Sequence, residues 1–339
     1  MKISVDISLR QRLKKVSTKI IEILQFLHKC YSSYEQKRGR GRPFVYSLAS
    51  MTLFFMVMSL KRIYSFKAMA KYAKSHYEAF GFPKAPSRKT IRRRFLSLPK
   101  YIHWLLPQIT MHCQELNYQQ FRCSWVFVDK SVFRALGGIW HKKHMLNGLV
   151  PHSSIDTDAS WAKSAYHGWR FGYGLHLVCL QNRFPVSAWV STASDKDYFW
   201  IDKLIQGIKH LIGIIVGDAG YQSLKVIQKL YEDDDILLQI PKVFTTYVKQ
   251  PFVKWYNSMV QLTQARWLYR HRKPSIEPLF SLIKQLFDLE GKKQLPYKGI
   301  DKVSAFLMIG PLTVQLMMRD NFLNHRPWAS SQDFLNAFK

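Results

Sequence analysis

Three acidic residues stand where their side chains could act together. Asp129 closes the run SWVFVD (124 to 129) and Asp218 closes GIIVGD (213 to 218). Both runs are rich in β-formers, so both carboxylates are expected at strand ends, where open α/β sheets build their sites. Glu277 lies in PSIEPLFSLIKQLF, a helical pattern in which Leu279, Phe280, Leu282, Ile283, Leu286 and Phe287 supply an apolar stripe. Glu277 and Lys284 share another face, about 10 Å apart along the axis at 1.5 Å per residue. Pro278 is tolerated in a first helical turn, so with Ser275 as N-cap, Glu277 falls in that turn. The helix dipole there favours an ionised carboxylate, the form a metal ligand must take.

Other chemistry-bearing residues are read more plainly. Asp156 and Asp158 are the nearest rivals as metal ligands, but DTDAS suits a turn. Asp195 and Asp197 are expected to cap a helix starting near Tyr198. His112, His144, His152, His176 and His210 show no ligand spacing, and His167 sits beside Gly168 and Trp169 where a substrate could approach. Cys30, Cys113, Cys123 and Cys179 form no CxxC pair, which argues against a zinc finger or disulfide scaffold and fits a reducing cytosol.

The elements that must position the acids follow two regimes. Up to about residue 100 the patterns are helical: 8 to 30, Ser47 to Leu60, Ser65 to Ser75 and Ser87 to Leu96. The apolar run Leu48 to Leu60 is too short to cross a bilayer, which needs about 20 residues, and reads as a buried core helix. No export signal is evident at the N-terminus, and no membrane role is expected. After about residue 120 come β-rich runs: SWVFVD, then a hairpin of GLHLVCL and PVSAWVST, a helix from about Tyr198 to Leu211, GIIVGD, a helix from Leu224 to Tyr231, DILLQI, and helices from about 262. Antiparallel strands followed by alternating helix and strand imply a mixed α/β sheet. Two regions are therefore expected, 1–110 and 120–339.

Charge names the partner. The chain carries 51 Lys plus Arg against 22 Asp plus Glu, a formal net charge of +29, which calls for a polyanion, nucleic acid first. Residues 1 to 100 hold 23 basic and 4 acidic side chains, so the first third is the main electrostatic footprint. In SRKTIRRRF, Ile91 and Phe95 fall at i and i+4, leaving Arg88, Lys89, Arg92 and Arg93 for the outer face of a helix-turn-helix-like second helix. Arg40 and Arg42 flank Gly41 in KRGRGRP, suited to a narrow A·T minor groove.

With these motifs in order, the chain resembles the DDE transposases of bacterial insertion sequences, the group with a Tyr-Arg-Glu-Lys signature. VFVDKSVFRA is similar to the strand bearing the first Asp, SSIDTDASWAKSAYHGWRFGYGLHL to the linking hairpin, GDAGY to the second Asp motif, and YRHRKPSIEPLFSLIK to the signature. The resemblance implies an RNase H-like catalytic domain over 120–339. It further implies that Asp129, Asp218 and Glu277 hold two Mg²⁺ ions, which Mn²⁺ can replace, with Tyr269, Arg272 and Lys284 placing DNA near the scissile bond. The implied activity is binding of terminal inverted repeats, phosphodiester cleavage and strand transfer, by a homodimer or larger assembly, in the bacterial cytoplasm at the nucleoid. The alternative is a catalytically inactive, domesticated DNA-binding protein or repressor. Three details depart from the family pattern. Four residues rather than three separate Arg272 from Glu277, so Arg272 and Lys273 compete for one role. Lys130 follows the first Asp where a small polar residue is usual, and Gly174 follows GY where Lys is common.

Overall fold

The computed structural model describes residues 18–34, 45–113, 125–164 and 168–338. Arg40 and Arg42, together with Cys123 and His167, lie outside them.

The N-terminal part is helical, as the periodicity predicts. Helices α1 (18–34), α2 (Leu48–Leu60), α3 (Phe66–His76), α4 (Arg88–Leu96) and α5 (Leu98–His112) follow one another. Every residue of α2 except Leu60 is buried, so it is a core helix. In α4, Ser87 caps by accepting from the Thr90 N–H at 3.2 Å, Ile91 and Phe95 are buried, and Arg88, Lys89, Arg92 and Arg93 are exposed. Burying each of the two apolar side chains contributes about 1.5 to 3 kcal/mol. Arg94 instead turns inward and donates to the Tyr46 carbonyl at 2.9 Å.

The second part is a six-stranded mixed sheet. Strands β1 (Trp125–Arg134), β2 (Ser160–Ser164), β3 (Gly168–Cys179), β4 (Pro185–Thr192), β5 (Ile214–Val216) and β6 (Leu237–Gln239) run in the order β2-β3-β1-β5-β6, with β4 also paired to β3. β3 is antiparallel to β1, β2 and β4, whereas β1, β5 and β6 are mutually parallel. A short helix α6 (Lys142–Leu146) precedes β2, and α7 (Ile201–Ile205) follows β4. Helix α8 (Leu224–Asp234) makes the crossover from β5 to β6, as parallel strands require. Then come α9 (Pro251–Gln261), α10 (Thr263–Leu286), α11 (Ile300–Leu323) and α12 (Gln332–Asn336).

Helix α11 joins the two parts. It packs on β4, α5, α2 and α4, and a helix apolar all round must be buried in this way. It is also long and apolar enough to cross a membrane, but 78% of its most apolar window is buried inside the protein. Its buried Gln315 donates to the Leu106 carbonyl (3.0 Å) and Thr110 hydroxyl (3.1 Å) of α5 and to the Pro185 carbonyl of β4.

Four local expectations are corrected. β1 does not end at Asp129: pairing with β3 carries it to Arg134, and only the parallel pairing with β5 stops, at Phe127. The helix expected from Tyr198 to Leu211 is broken into a 3₁₀ turn (Asp197–Trp200), α7 and a second 3₁₀ turn (Lys209–Leu211). Asp195 and Asp197 make no side-chain cap there; Asp195 accepts from the Thr192 hydroxyl at 2.8 Å, and Asp197 pairs with Lys130. Ser275 is no N-cap, because α10 runs unbroken through Pro274 and Pro278, which leaves Glu277 mid-helix and removes the dipole argument. Each interior proline costs about 3 kcal/mol by itself. The buried stripe of Leu268, Ile276, Leu279, Phe280, Ile283 and Leu286 offsets that loss.

Candidate active site

The parallel register builds the core of the site. Phe127 of β1 pairs with Val216 of β5, so Asp129 and Asp218 each stand two residues beyond the last paired position. Two neighbouring parallel strands thus deliver two carboxylates side by side at their carboxyl ends, the place where open α/β sheets bind ligands. Asp218 accepts from the Gly220 N–H at 2.9 Å, and Asp129 accepts from the Lys130 N–H at 2.8 Å. A Cβ at Gly220 would come within 2.5 Å of Asp197 Oδ2 and 3.0 Å of Asp218 Oδ1, so any side chain there would push these carboxylates from their places.

Helix α10 supplies the counter-charge. The Arg272 guanidinium donates to Asp129 Oδ2 at 2.8 Å, both side chains being largely buried. Burial still pushes the Asp129 carboxyl up, to about 6; Arg272 opposes that rise and the Asp218 charge adds to it. Arg272 also lies against the Tyr269 ring, 5.6 Å from its centroid. Tyr269 lines a cleft of about 990 Å³ together with Lys242, Arg266 and Arg270.

A buried polar layer backs the acids. Tyr221, fully buried, feels the charges of Asp197, Asp129 and Asp218, and its hydroxyl lies 3.4 Å from His176 Nδ1. His176 Nε2 meets the Ser191 hydroxyl at 2.9 Å, and burial pushes the imidazole down to about 3, so it is a neutral core histidine. Lys130 is half-buried and triply held: it pairs with Asp197 and donates to the carbonyls of Asp195 (3.0 Å) and Ala193 (3.3 Å). Its stem passes over Gly174, where a Cβ would come within 2.8 Å of Lys130 Cδ. The two unusual residues at these positions are therefore one arrangement, the lysine at 130 filling the space that glycine leaves at 174.

Not every candidate joins the site. Asp156 is buried and accepts from the Tyr173 hydroxyl (2.8 Å) and the Gly299 N–H (3.1 Å), while Asp158 accepts from the Ile300 N–H at 2.9 Å. These two tie the hairpin to the start of α11, which explains them structurally. Glu277 is half-buried and lines a separate cavity of about 780 Å³ with Arg183 and Lys273. Among the described residues no three His, Cys, Asp or Glu side chains are gathered closely enough to hold one metal. The five-residue step from Arg272 to Glu277 turns the helix by about 140° relative to the Arg272–Asp129 contact, whereas a four-residue step would turn it by only about 40°. Of the two competing bases, Arg272 pairs with Asp129, while Lys273 is exposed and lines the cavity that holds Glu277. Asp197, beside Asp218, is the acidic neighbour that sequence reasoning assigned elsewhere. No local signal marks it, because it arrives from the end of β4 only through the sheet.

Residues 126–313, more than half of the chain, match the family described as Transposase DDE domain. The chain belongs to the DDE transposases. This transposase has the mixed α/β sheet, flanked by helices and preceded by a helical region, that its motifs imply. Its family generally uses divalent metal, and its substrate is DNA. Among solved structures the chain is similar to a piggyBac transposase synaptic complex with hairpin DNA, at 8% identity and TM-score 0.41, over 96% of this chain and 79% of that one. It is also similar to a pre-cleavage Mos1 transpososome, at 10% identity and TM-score 0.22, over 83% and 80%. No curated protein sequence matches the chain.

Proposed function

We propose that this transposase binds the terminal inverted repeats of its own element, cuts at their ends and joins the freed 3′-hydroxyls to target DNA. In this reading Asp129, Asp218 and Glu277 hold two Mg²⁺ ions, or Mn²⁺ in their place. The observation that carries it is the β1–β5 register, which brings Asp129 and Asp218 together opposite Arg272. Carboxylate oxygens are the hard donors that such cations prefer. When bound, the metals activate the attacking oxygen and stabilise the leaving oxygen of an in-line phosphodiester displacement.

The chain's own residues do the rest. Arg272 neutralises Asp129 and is placed to grip a DNA phosphate with its planar fork. Tyr269 and the basic wall of its cleft receive the strand beside the scissile bond. Lys130 and Asp197 lock the loop that carries Asp218. Glu277, which faces a separate cavity in this conformation, would have to approach from another face of α10 to complete the set. The helical region 1–110 serves as the DNA-binding domain, with Arg88, Lys89, Arg92 and Arg93 on its exposed face and Arg40 and Arg42 in the preceding basic segment. Region 120–339 serves as the catalytic domain. Two ends must be held at once, which favours a dimer or larger synapse acting at the bacterial nucleoid.

The deciding experiment is Mg²⁺-dependent cleavage of a plasmid carrying the native element ends. Cuts at both ends, followed by joining to a second plasmid, are expected. End-specific binding without any cut would leave a DNA-binding repressor in place of the enzyme.

A further inference from the structure

Beyond the carboxylates, α10 and β1 enclose a third, smaller cavity of about 240 Å³, walled by Phe133, Arg134, Arg170, Lys284 and the turn from Leu289 to Leu295. Three cations converge on it. Among the described residues, the Nε atoms of Arg134 and Arg170 are shielded from solvent and have no hydrogen-bond partner, and the Arg170 side chain makes one hydrogen bond, a 3.3 Å donation to the Val132 carbonyl. Lys284 hangs over the Phe133 ring, 5.4 Å from its centroid. None of the three forms an ion pair among the described residues, although Lys293 at the rim pairs with Asp288, which also pairs with Arg62. Glu290, exposed, is the one carboxylate on the wall.

Part-buried cations that repel one another are costly unless an anion completes them. Burial and the Arg170 charge both push Lys284 down, and burial and Arg134 do the same to Arg170. The fold nonetheless holds them together beside backbone that offers few acceptors. Guanidinium forks suit phosphate oxygens, which accept in two directions at once.

We propose that Arg134, Arg170 and Lys284 form a phosphate pocket that grips the DNA backbone at a fixed distance from the cut. This rests on the reading of Asp129 and Asp218 as the cutting site. Arg272 and Lys284 are twelve residues apart on one helix, about 18 Å. Phe133 lies four residues past Asp129 along β1, about 13 Å. Successive phosphates on one strand rise about 3.4 Å along the axis but lie about 6 to 7 Å apart in space once the helical turn is included. The gripped phosphate is therefore about two or three nucleotides from the scissile one. The pocket is thus a ruler that sets where the strand enters the site.

The test is a scan in which single phosphates of an element-end duplex are replaced by neutral methylphosphonates, read by binding without metal and by cleavage with Mg²⁺. The unmodified transposase should lose about ten-fold in affinity at one position about two or three nucleotides from the cut. The Arg134→Gln, Arg170→Gln double variant should bind the native duplex that much more weakly and be indifferent to the methylphosphonate there, yet remain sensitive elsewhere. Arg134→Lys should restore part of the sensitivity. A flat scan across that window overturns the proposal, whether or not the double variant folds, and so does a folded double variant that keeps full sensitivity. Because the binding arm needs no metal, a sensitive window without cleavage would sink the cutting site and keep the pocket.

Discussion

Helices α4 and α10 are both basic, both amphipathic and both assigned to DNA, yet they present their charge in opposite ways. In α4 the cations Arg88, Lys89, Arg92 and Arg93 point to solvent while Ile91 and Phe95 anchor the other face. In α10, Arg272 is buried against Asp129, and burial pushes Lys284 down. Exposed charges steer and hold a polyanion through counterion release, whatever its sequence. Charges fixed in a partly dry site are held in advance and act on one atom. On the proposed reading, the first kind supplies affinity and the second a place to cut.

That contrast can be broken most severely at the acids. Asp129→Ala and Asp218→Ala should each reduce cleavage by about a thousand-fold or more while leaving end binding nearly unchanged, since they carry chemistry and not recognition. Glu277→Ala should match them in a plasmid-cleavage assay, and Asp197→Ala should fall well short. If Asp197→Ala is the dead variant and Glu277→Ala cuts normally, the third acid is Asp197.

Arg272→Ala comes next. Removing one partner of a largely buried pair costs about 3 to 5 kcal/mol of stability, visible in denaturant melts, and cleavage should fall with it. Arg272→Lys should recover stability better than activity, because ammonium cannot reproduce the fork. Equal recovery of both would confine Arg272 to a structural role.

A smaller effect concerns pH. The Asp129 carboxyl titrates near 6 in the folded chain, above its ordinary 3.8, so its charge costs stability above about pH 6 and that cost fades as pH falls toward 4. Metal needs the ionised form. Mg²⁺ at about a hundred times its Kd should therefore stabilise the DNA-free protein by about 2.7 kcal/mol at pH 8, and calorimetry at pH 5 should show most of that gain lost. A pH-independent gain would remove Asp129 from the metal site.

On α4 the expected changes are slight in stability and selective in binding. Arg92→Ala and Arg93→Ala should alter stability by no more than about 0.5 kcal/mol, and each should reduce the slope of log affinity against log salt by about 0.9. Unchanged slopes would mean that this face does not meet DNA. Lys302→Ala, on α11 away from both helices, should be nearly silent in every assay.

The sequence by itself determined what short-range patterns can carry. The β-rich runs ending in Asp129 and Asp218, the capped amphipathic helix with Arg88, Lys89, Arg92 and Arg93 outward, the β3–β4 hairpin and the excess of positive charge all follow from local periodicity and composition, and so does the mixed α/β class. Tertiary structure decided what depends on register and on helix rotation. Pairing with β3 extended β1 past Asp129, and the β1–β5 register set the two acids side by side. Burial of its apolar stripe kept α10 whole through Pro274 and Pro278, the second of which reads locally as part of a helix start. One extra residue between Arg272 and Glu277 is a trivial change along the chain, but on a helix it is a rotation of about 100°. That angle has meaning only once Arg272 is fixed against Asp129, and a contact between residues 143 positions apart is beyond the reach of any local pattern.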